Sequence, residues 1–479
     1  MLRRILSVTV TCAALLAAGG AFPASSQETP PQTQFEQTNG ADWTGHDEEL
    51  SFVQAVDEAS PRVEVATIGQ TLLERPLQLV RIGNPEPRDV ETARGETTIL
   101  FVCTQHGNEP AGREACLKLI RDLAFTTDPL LLEQLATTTI LVVPTANPDG
   151  RASNSRGNSE GVDINRDHLN LRTLEAQAVA AVVRDWEPEM VLDLHEYGPS
   201  QPVVYDDDVL YLWPRNLNVE KHVHDLAEGF SLEHLAPCVE SAGYTADEYG
   251  LQAVGDVDVA QTAGDGDEGI ARNAMGLRHS LGILVETATT VSTNPQQLPN
   301  EASDAAAQRR RRVASHSRVI DCTLEYFRAE AAAVTQATAT APLRKAGEGI
   351  AQNVPVYFGG ADNQSPSEAD TIYPAPCAYR LTQEQAVELA GTFDLHGVRT
   401  VPDEDGTVLV PLGQPAEPVI PLLLDGRGNR NSIEAEPVDG APMSEACRTS
   451  SDGGGGSTAA ATAGVLLLGG LVRRRLRGR

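Results

Sequence analysis

Four short, nearly continuous apolar runs constrain this chain more than any other feature: Ile99–Cys103 (ILFVC), Ile140–Val143 (ILVV), Met190–Leu194 (MVLDL) and Leu281–Val285 (LGILV). Each is strand-length and β-branched, and reads as a buried strand. Helical patterns alternate with them. Over Glu109–Ala124 the residues Ala115, Leu119, Ile120 and Leu123 share one face, and Thr173–Asp185 is rich in Ala and Val. Strands alternating with helices predict an α/β fold around a mixed or largely parallel sheet. Residues 303–335 read as one long closing helix, with Arg309–Arg312 as a solvated stretch.

The main body spans 46–335, after a secretory leader over 1–27 and a Thr/Gln/Pro-rich linker over 28–45. The leader has Arg3 and Arg4, an apolar stretch too short for a comfortable span, and small residues at Ala24 and Ser26. A second linker, Ala/Thr-rich and then Gly-containing, covers 336–352, and a small β-rich appended domain covers 353–448. In the latter, Thr407–Pro411 and Val419–Leu424 look β-like, Leu381–Leu389 looks helical, and no residue carries recognisable chemistry. The last segment, 449–479, joins a Gly-rich hinge, an apolar run and five arginines. That layout resembles a bacterial GlyGly-type sorting tail, which implies a membrane anchor open to cleavage by a sorting protease, with the body outside the cell. Asp and Glu number 67 against 37 Lys and Arg, a net charge of −30. Such a surface repels nucleic acid and anionic lipid alike. With Cys12 in the leader, six cysteines remain, an even number suited to an oxidising compartment. Cys377–Cys447 is the preferred pair, and the absence of C-x-x-C argues against a thiolate zinc site.

The reactive residues fall at strand ends. His106 follows ILFVC within the turn H106-G-N-E109, His195 directly follows MVLDL, and Glu286 directly follows LGILV. The carboxyl edge of an α/β sheet is where sites are built. Two His and one Glu match a catalytic zinc shell, whose fourth position belongs to water. His106 and Glu109 are close enough in sequence to share one ion, and Gly107 lets the chain bend between them. Zinc lowers the pKa of its water to about 7, and a carboxylate must still carry the proton to the leaving amine. Glu286 is placed for that task. The loop N147-P-D-G150 … R156-G-N-S-E-G-V-D-I-N165-R166 adds two guanidiniums at the same edge. In so acidic a protein they point to anions: one Arg for a substrate carboxylate, the other for a developing oxyanion. The remaining histidines, His168 among them, read as structural.

Together H106-G-N-E109, N147-P-D-G150, R156-x-N-x-x-G-V-D-I-N165-R166, D193-L-H195 and L284-V-E286 resemble the M14 zinc carboxypeptidases, the carboxypeptidase A-like family, over roughly 60–330. The resemblance implies a three-layer α/β/α sandwich with a mixed, mostly parallel eight-stranded sheet. It implies one zinc ion held by His106, Glu109 and His195. Arg156 takes the oxyanion role, Asn165 and Arg166 the C-terminal carboxylate of a peptide, and Glu286 the role of base and acid. The family's mobile tyrosine, usually shortly before the base glutamate, is missing from 263–276, and Tyr244 and Tyr249 are the substitutes at hand. Arg272 lies in that stretch and suits a substrate pocket for an acidic or polar side chain. The expected protein is a monomeric, secreted or surface-held enzyme that trims the last residue of a peptide or protein. A peptidoglycan stem-peptide hydrolase or an amide deacylase would use the same site, and a metal-free surface binding module would keep only the fold.

Overall fold

The apolar runs alternate between two faces. Ile99, Phe101 and Cys103 join one buried cluster, and Leu100 and Val102 join another. Side chains along a strand point alternately up and down, so both faces of this sheet must be covered by helices. The computed structural model describes residues 30–440 except 94, 199–204, 206, 255–256, 261–264, 290–303, 404–405 and 432. The leader and the tail lie outside the described residues. Among those described, no helix is long and apolar enough to cross a membrane.

The main sheet has eight strands: β1 (Val63–Gln70), β2 (Pro76–Ile82), β3 (Thr97–Cys103), β4 (Thr138–Val143), β5 (Met190–Tyr197), β6 (Val209–Leu212), β7 (Ala246–Glu248) and β8 (Leu281–Ala288). Their order is β1-β2-β4-β3-β5-β8-β6-β7. The pairs β4–β3, β3–β5, β5–β8 and β6–β7 are parallel, and the other three are antiparallel. On one face lie α1 (His46–Ala59) and α2 (Ala111–Phe125), with Phe52, Val56, Leu117 and Ile120 in the larger cluster. On the other lie α3 (Leu174–Trp186) and α4 (Ala271–Leu277), which contribute Val179, Val182, Val183 and Met275. The architecture is the expected mixed sandwich.

Two stretches read as linkers are structured. Within 28–45, Gln34–Gln37 forms a short helix closed by a Thr33–Glu36 capping box, and Phe35 stacks on Trp43. The closing helix α5 runs from Ala305 to Ala351, so 336–352 continues it instead of interrupting it. Alanine is the strongest helix former, and it carries the pattern past the point where the apolar face thins. Arg309–Arg312 is not a solvated stretch. Arg311 grips Asp208 with two bonds of 2.7 Å, Arg312 pairs with the buried Glu196, and Arg309 and Arg310 donate to the carbonyls of Ala41 and Asn39.

The C-terminal unit forms a four-stranded antiparallel sheet from β9 (Ala378–Leu381), β10 (Val401–Pro402), β11 (Val408–Pro411) and β12 (Glu436–Val438), in the order β10-β11-β9-β12. Leu381 closes β9, and the helix expected there runs over Gln383–Glu388 behind a Thr382 cap. Val419–Leu424 is not β-like: Ile420–Leu424 is helical, with Pro421 in its first turn. A short apolar run does not distinguish buried strand from buried helix, and proline suits a helix start. Phe358, Tyr379, Leu412 and Leu423 belong to the same cluster as α2, so this unit shares the main core. Cys103–Cys116 and Cys238–Cys322 are disulfides. Cys377 is also disulfide-bonded, and Cys447 lies outside the described residues.

Candidate active site

The site grows from the carboxyl ends of three neighbouring strands. After Cys103 the chain turns through Thr104, at a left-handed φ of 55°, and brings His106 over the sheet edge. Gly107 is where this turn crosses the next one: a Cβ there would stand 1.9 Å from the Gly150 carbonyl carbon. The crossing turn is N147-P-D-G150, in which Asn147 caps the Gly150 N–H and donates to the Gln105 carbonyl. In parallel register Glu286 of β8 pairs with His195 of β5, so the two side chains leave adjacent strands at the same level.

Three ligand atoms converge. His106 Nδ1 lies 3.0 Å from Glu109 Oε1 and 3.0 Å from His195 Nδ1, and His195 Nδ1 lies 2.9 Å from Glu109 Oε2. Among the described residues this is the one group of three His, Cys, Asp or Glu side chains with metal-ligand spacing. Two imidazole nitrogens facing each other and a shared carboxylate make a poor hydrogen-bond pattern but a good donor set. Tetrahedral zinc with bonds of about 2.0–2.1 Å to nitrogen needs donors only slightly further apart. The donor set fits zinc.

Behind each imidazole stands a carboxylate that sequence reasoning did not single out. His106 Nε2 lies 3.0 Å from Asp163, and His195 Nε2 lies 2.8 Å from Asp193. Each carboxylate fixes the remote ring nitrogen as the donor and leaves Nδ1 with its lone pair turned toward the other two side chains. Asp193 is itself held by Gln105 Nε2 at 2.6 Å, and Gln105 Oε1 meets His168 Nε2 at 2.6 Å. Asp193 sat inside the D193-L-H195 motif and Asp163 inside G-V-D-I-N, but nothing in their spacing announced a contact with a histidine. Burial opposes ionisation of Glu109, yet His106 and His195 hold its carboxyl well below the usual range. Asp163 is likewise desolvated, and His106 and Arg156 bring it below the usual range. Burial works against the charged form of His195 too, but Asp193 and Glu109 raise it well above the ordinary imidazole value.

Glu286 is half-buried, its Oε2 has no hydrogen-bond partner among the described residues, and burial pushes its carboxyl up to about 7. Arg156 lies against the triad: Nε and Nη2 bind Asp163 at 3.0 and 2.9 Å, and Nη1 is 3.2 Å from His106 Nδ1. Asn165 is buried, with its carboxamide accepting from the Ala271 N–H at 2.8 Å and touching His195 Nε2 at 3.0 Å. Arg166 is half-exposed beside it, its Nη1 on the Asn165 carbonyl. Arg272, on α4, is buried. Desolvation lowers it to about 10, and it donates to the Asp265 carbonyl at 3.2 Å. Of the two substitute tyrosines, Tyr249 feels the charges of Glu286, Arg272 and Arg166, whereas Tyr244 lies under the Arg311 guanidinium at 5.1 Å. Glu196, next to His195, accepts from the Ala111 N–H and pairs with Arg312, which ties β5 to α2 and α5.

Residues 49–255 match the family model of the zinc carboxypeptidases, peptidase M14. The chain is 33% identical over 192 residues to carboxypeptidase 2 of Trichophyton tonsurans, covering 38% of this chain and 35% of that one. It is 29% identical over 167 residues to carboxypeptidase SOL1 of Arabidopsis thaliana, covering 32% and 33%. The chain thus spans about a third of the length of these curated relatives. A solved metallo-carboxypeptidase from Burkholderia cenocepacia superposes with a TM-score of 0.44 at 18% identity, over 59% of this chain and 69% of that one.

Proposed function

We propose that this chain, matched to the zinc carboxypeptidase family over 49–255, is a metallocarboxypeptidase that hydrolyses the last peptide bond of a peptide or protein. The observation that carries the reading is the convergence of His106, Glu109 and His195 to 2.9–3.0 Å, with Glu286 in register beside His195. Zinc bound there supplies Lewis acidity and brings the pKa of water to about 7. The other tasks belong to side chains. Glu286 takes the proton of the attacking water at its Oε2, which has no partner among the described residues, and returns it to the departing amine. Arg156 offers N–H groups beside the triad to the carbonyl oxygen as it gains charge. Arg166, with Asn165 bracing its neighbours, takes the terminal carboxylate through the forked geometry that suits arginine to such groups. Arg272 favours an acidic or polar last side chain. The leader-like residues 1–27, the basic tail and the disulfides support a secreted or surface-held enzyme.

The test is a peptide library read by mass spectrometry, with zinc content measured on the same protein. Single residues should leave from carboxyl ends, and Glu286→Gln should cut the rate by about 10²–10⁴-fold. Internal cleavage, or full activity in the variant, would refute the reading. A strong preference for Lys or Arg as last residue would overturn the role given to Arg272.

A further inference from the structure

The C-terminal unit, silent as sequence, reaches into the crevice. Arg430 extends from it and takes Asp267 with two prongs, Nε to Oδ1 at 2.5 Å and Nη2 to Oδ2 at 2.6 Å. Its third nitrogen, Nη1, donates to the Arg166 carbonyl at 3.0 Å. The passage for this arm is kept open by Gly269. A Cβ there would stand 2.7 Å from both Cδ and Nε of Arg430, and 2.6 Å from the Arg166 carbonyl oxygen. The same Gly269 carbonyl accepts from the His168 N–H, so the loop is anchored to the network behind the triad.

Asp267 is the matter at stake. Its Oδ2 is 3.9 Å from Nε of Arg166, near enough for an ion pair but too far for a hydrogen bond. Arg166 is half-exposed, and its Nη2 makes no hydrogen bond among the described residues. Oδ1 of Asp267 also accepts from the Gly269 N–H at 2.9 Å, so without Arg430 it is Oδ2 that is released, free to close that gap and occupy the guanidinium that a substrate carboxylate needs. Arg430 satisfies Asp267 from the far side and also fixes the backbone from which Arg166 projects.

We propose that Arg430 is a positioning residue for substrate recognition: by sequestering Asp267 it keeps Arg166 available to the terminal carboxylate. The C-terminal unit is then part of the enzyme's specificity machinery. This rests on the reading of Arg166 as the carboxylate-binding arginine.

The experiment is a double-mutant cycle on the full chain, with kcat and KM measured on a peptide bearing a free carboxyl end and zinc content checked for each protein. Arg430→Met should raise KM about tenfold, the cost of one competing charged contact, with kcat nearly unchanged. Asp267→Asn alone should not raise KM. The double variant should recover most of the wild-type KM, because the competitor has gone and only the Arg430 bond to the Arg166 carbonyl is still missing. Arg430→Lys, which holds Asp267 by a single prong, should give a smaller rise that Asp267→Asn again abolishes, so this pair decides if Arg430→Met does not fold. An unchanged KM in both Arg430 variants, or a rise that Asp267→Asn fails to reverse, overturns the proposal and leaves Arg430 as a loop brace. A wild-type protein that trims no peptide end overturns instead the functional reading beneath it.

Discussion

Removing the negative charge behind one imidazole, by Asp193→Asn, should weaken zinc binding far more than removing it behind the other, by Asp163→Asn. Both carboxylates hold a remote ring nitrogen, at 2.8 and 3.0 Å. Their surroundings differ. The Asp193 side chain is 2% exposed, and that of Asp163 is 25% exposed and shared with Arg156. One imidazole ring separates either carboxylate from the ligand cluster, a distance of about 6 Å, where a unit charge is worth about 2–3 kcal/mol at an effective dielectric of 20. That corresponds to the upper part of the 10–100-fold range found when such supporting carboxylates are changed. Asp193→Asn should therefore cost about 30–100-fold in zinc affinity. Asp163, already neutralised by Arg156 and closer to water, should cost only a few-fold. The carboxamide that replaces Asp193 keeps an acceptor oxygen for Gln105 Nε2, so the fold should hold. Zinc affinity is measured by competition with a chelating dye at neutral pH, beside thermal melts of the metal-free proteins. Equal losses in the two variants, or no loss in either, would refute the claim that burial sets the worth of these carboxylates.

Two further outcomes follow from the geometry. Arg156→Ala should lower kcat by about 10²–10³-fold with a smaller change in KM, as for other donors to a developing oxyanion, and Arg156→Lys should restore only part of it; steady-state kinetics showing a pure KM effect would contradict the assignment. Glu189, buried before β5 and accepting from the Thr98 N–H at 2.6 Å, has its carboxyl pushed up to about 7 by burial, from 4.5. The folded state keeps this proton longer than the unfolded chain, so the associated stability is complete below about pH 4.5 and is lost as pH rises toward 7. Glu189→Gln, which keeps an acceptor for Thr98, should flatten that part of the curve and make the protein up to about 3 kcal/mol more stable than wild type at pH 8. Denaturant melts at about pH 5 and pH 8 check this; a variant that tracks wild type at both would show that Glu189 is not the group responsible.

Much of the reactive centre was legible because the chemistry and the strand pattern coincide. His106, His195 and Glu286 each sit at the end of an apolar run, and local chain direction alone sends such residues to one sheet edge. Short, nearly continuous apolar runs with β-branched side chains leave little choice but burial, so the sheet and its covering helices could be read from composition and period. Only tertiary structure decided which carboxylate stands behind which imidazole. Asp163 and His106 are far apart in sequence, and their contact depends on the crossing of two turns at Gly107 and Gly150. The same holds for Arg312 against Glu196 and for Arg430 against Asp267. The sequence by itself determined the fold class and the ligand types, since both follow from short-range periodicity and residue chemistry. The supporting charges, and the entry of the C-terminal unit into the crevice wall, were decided by long-range packing, because a charged side chain can meet any opposite charge the fold brings near, and no local pattern records which one.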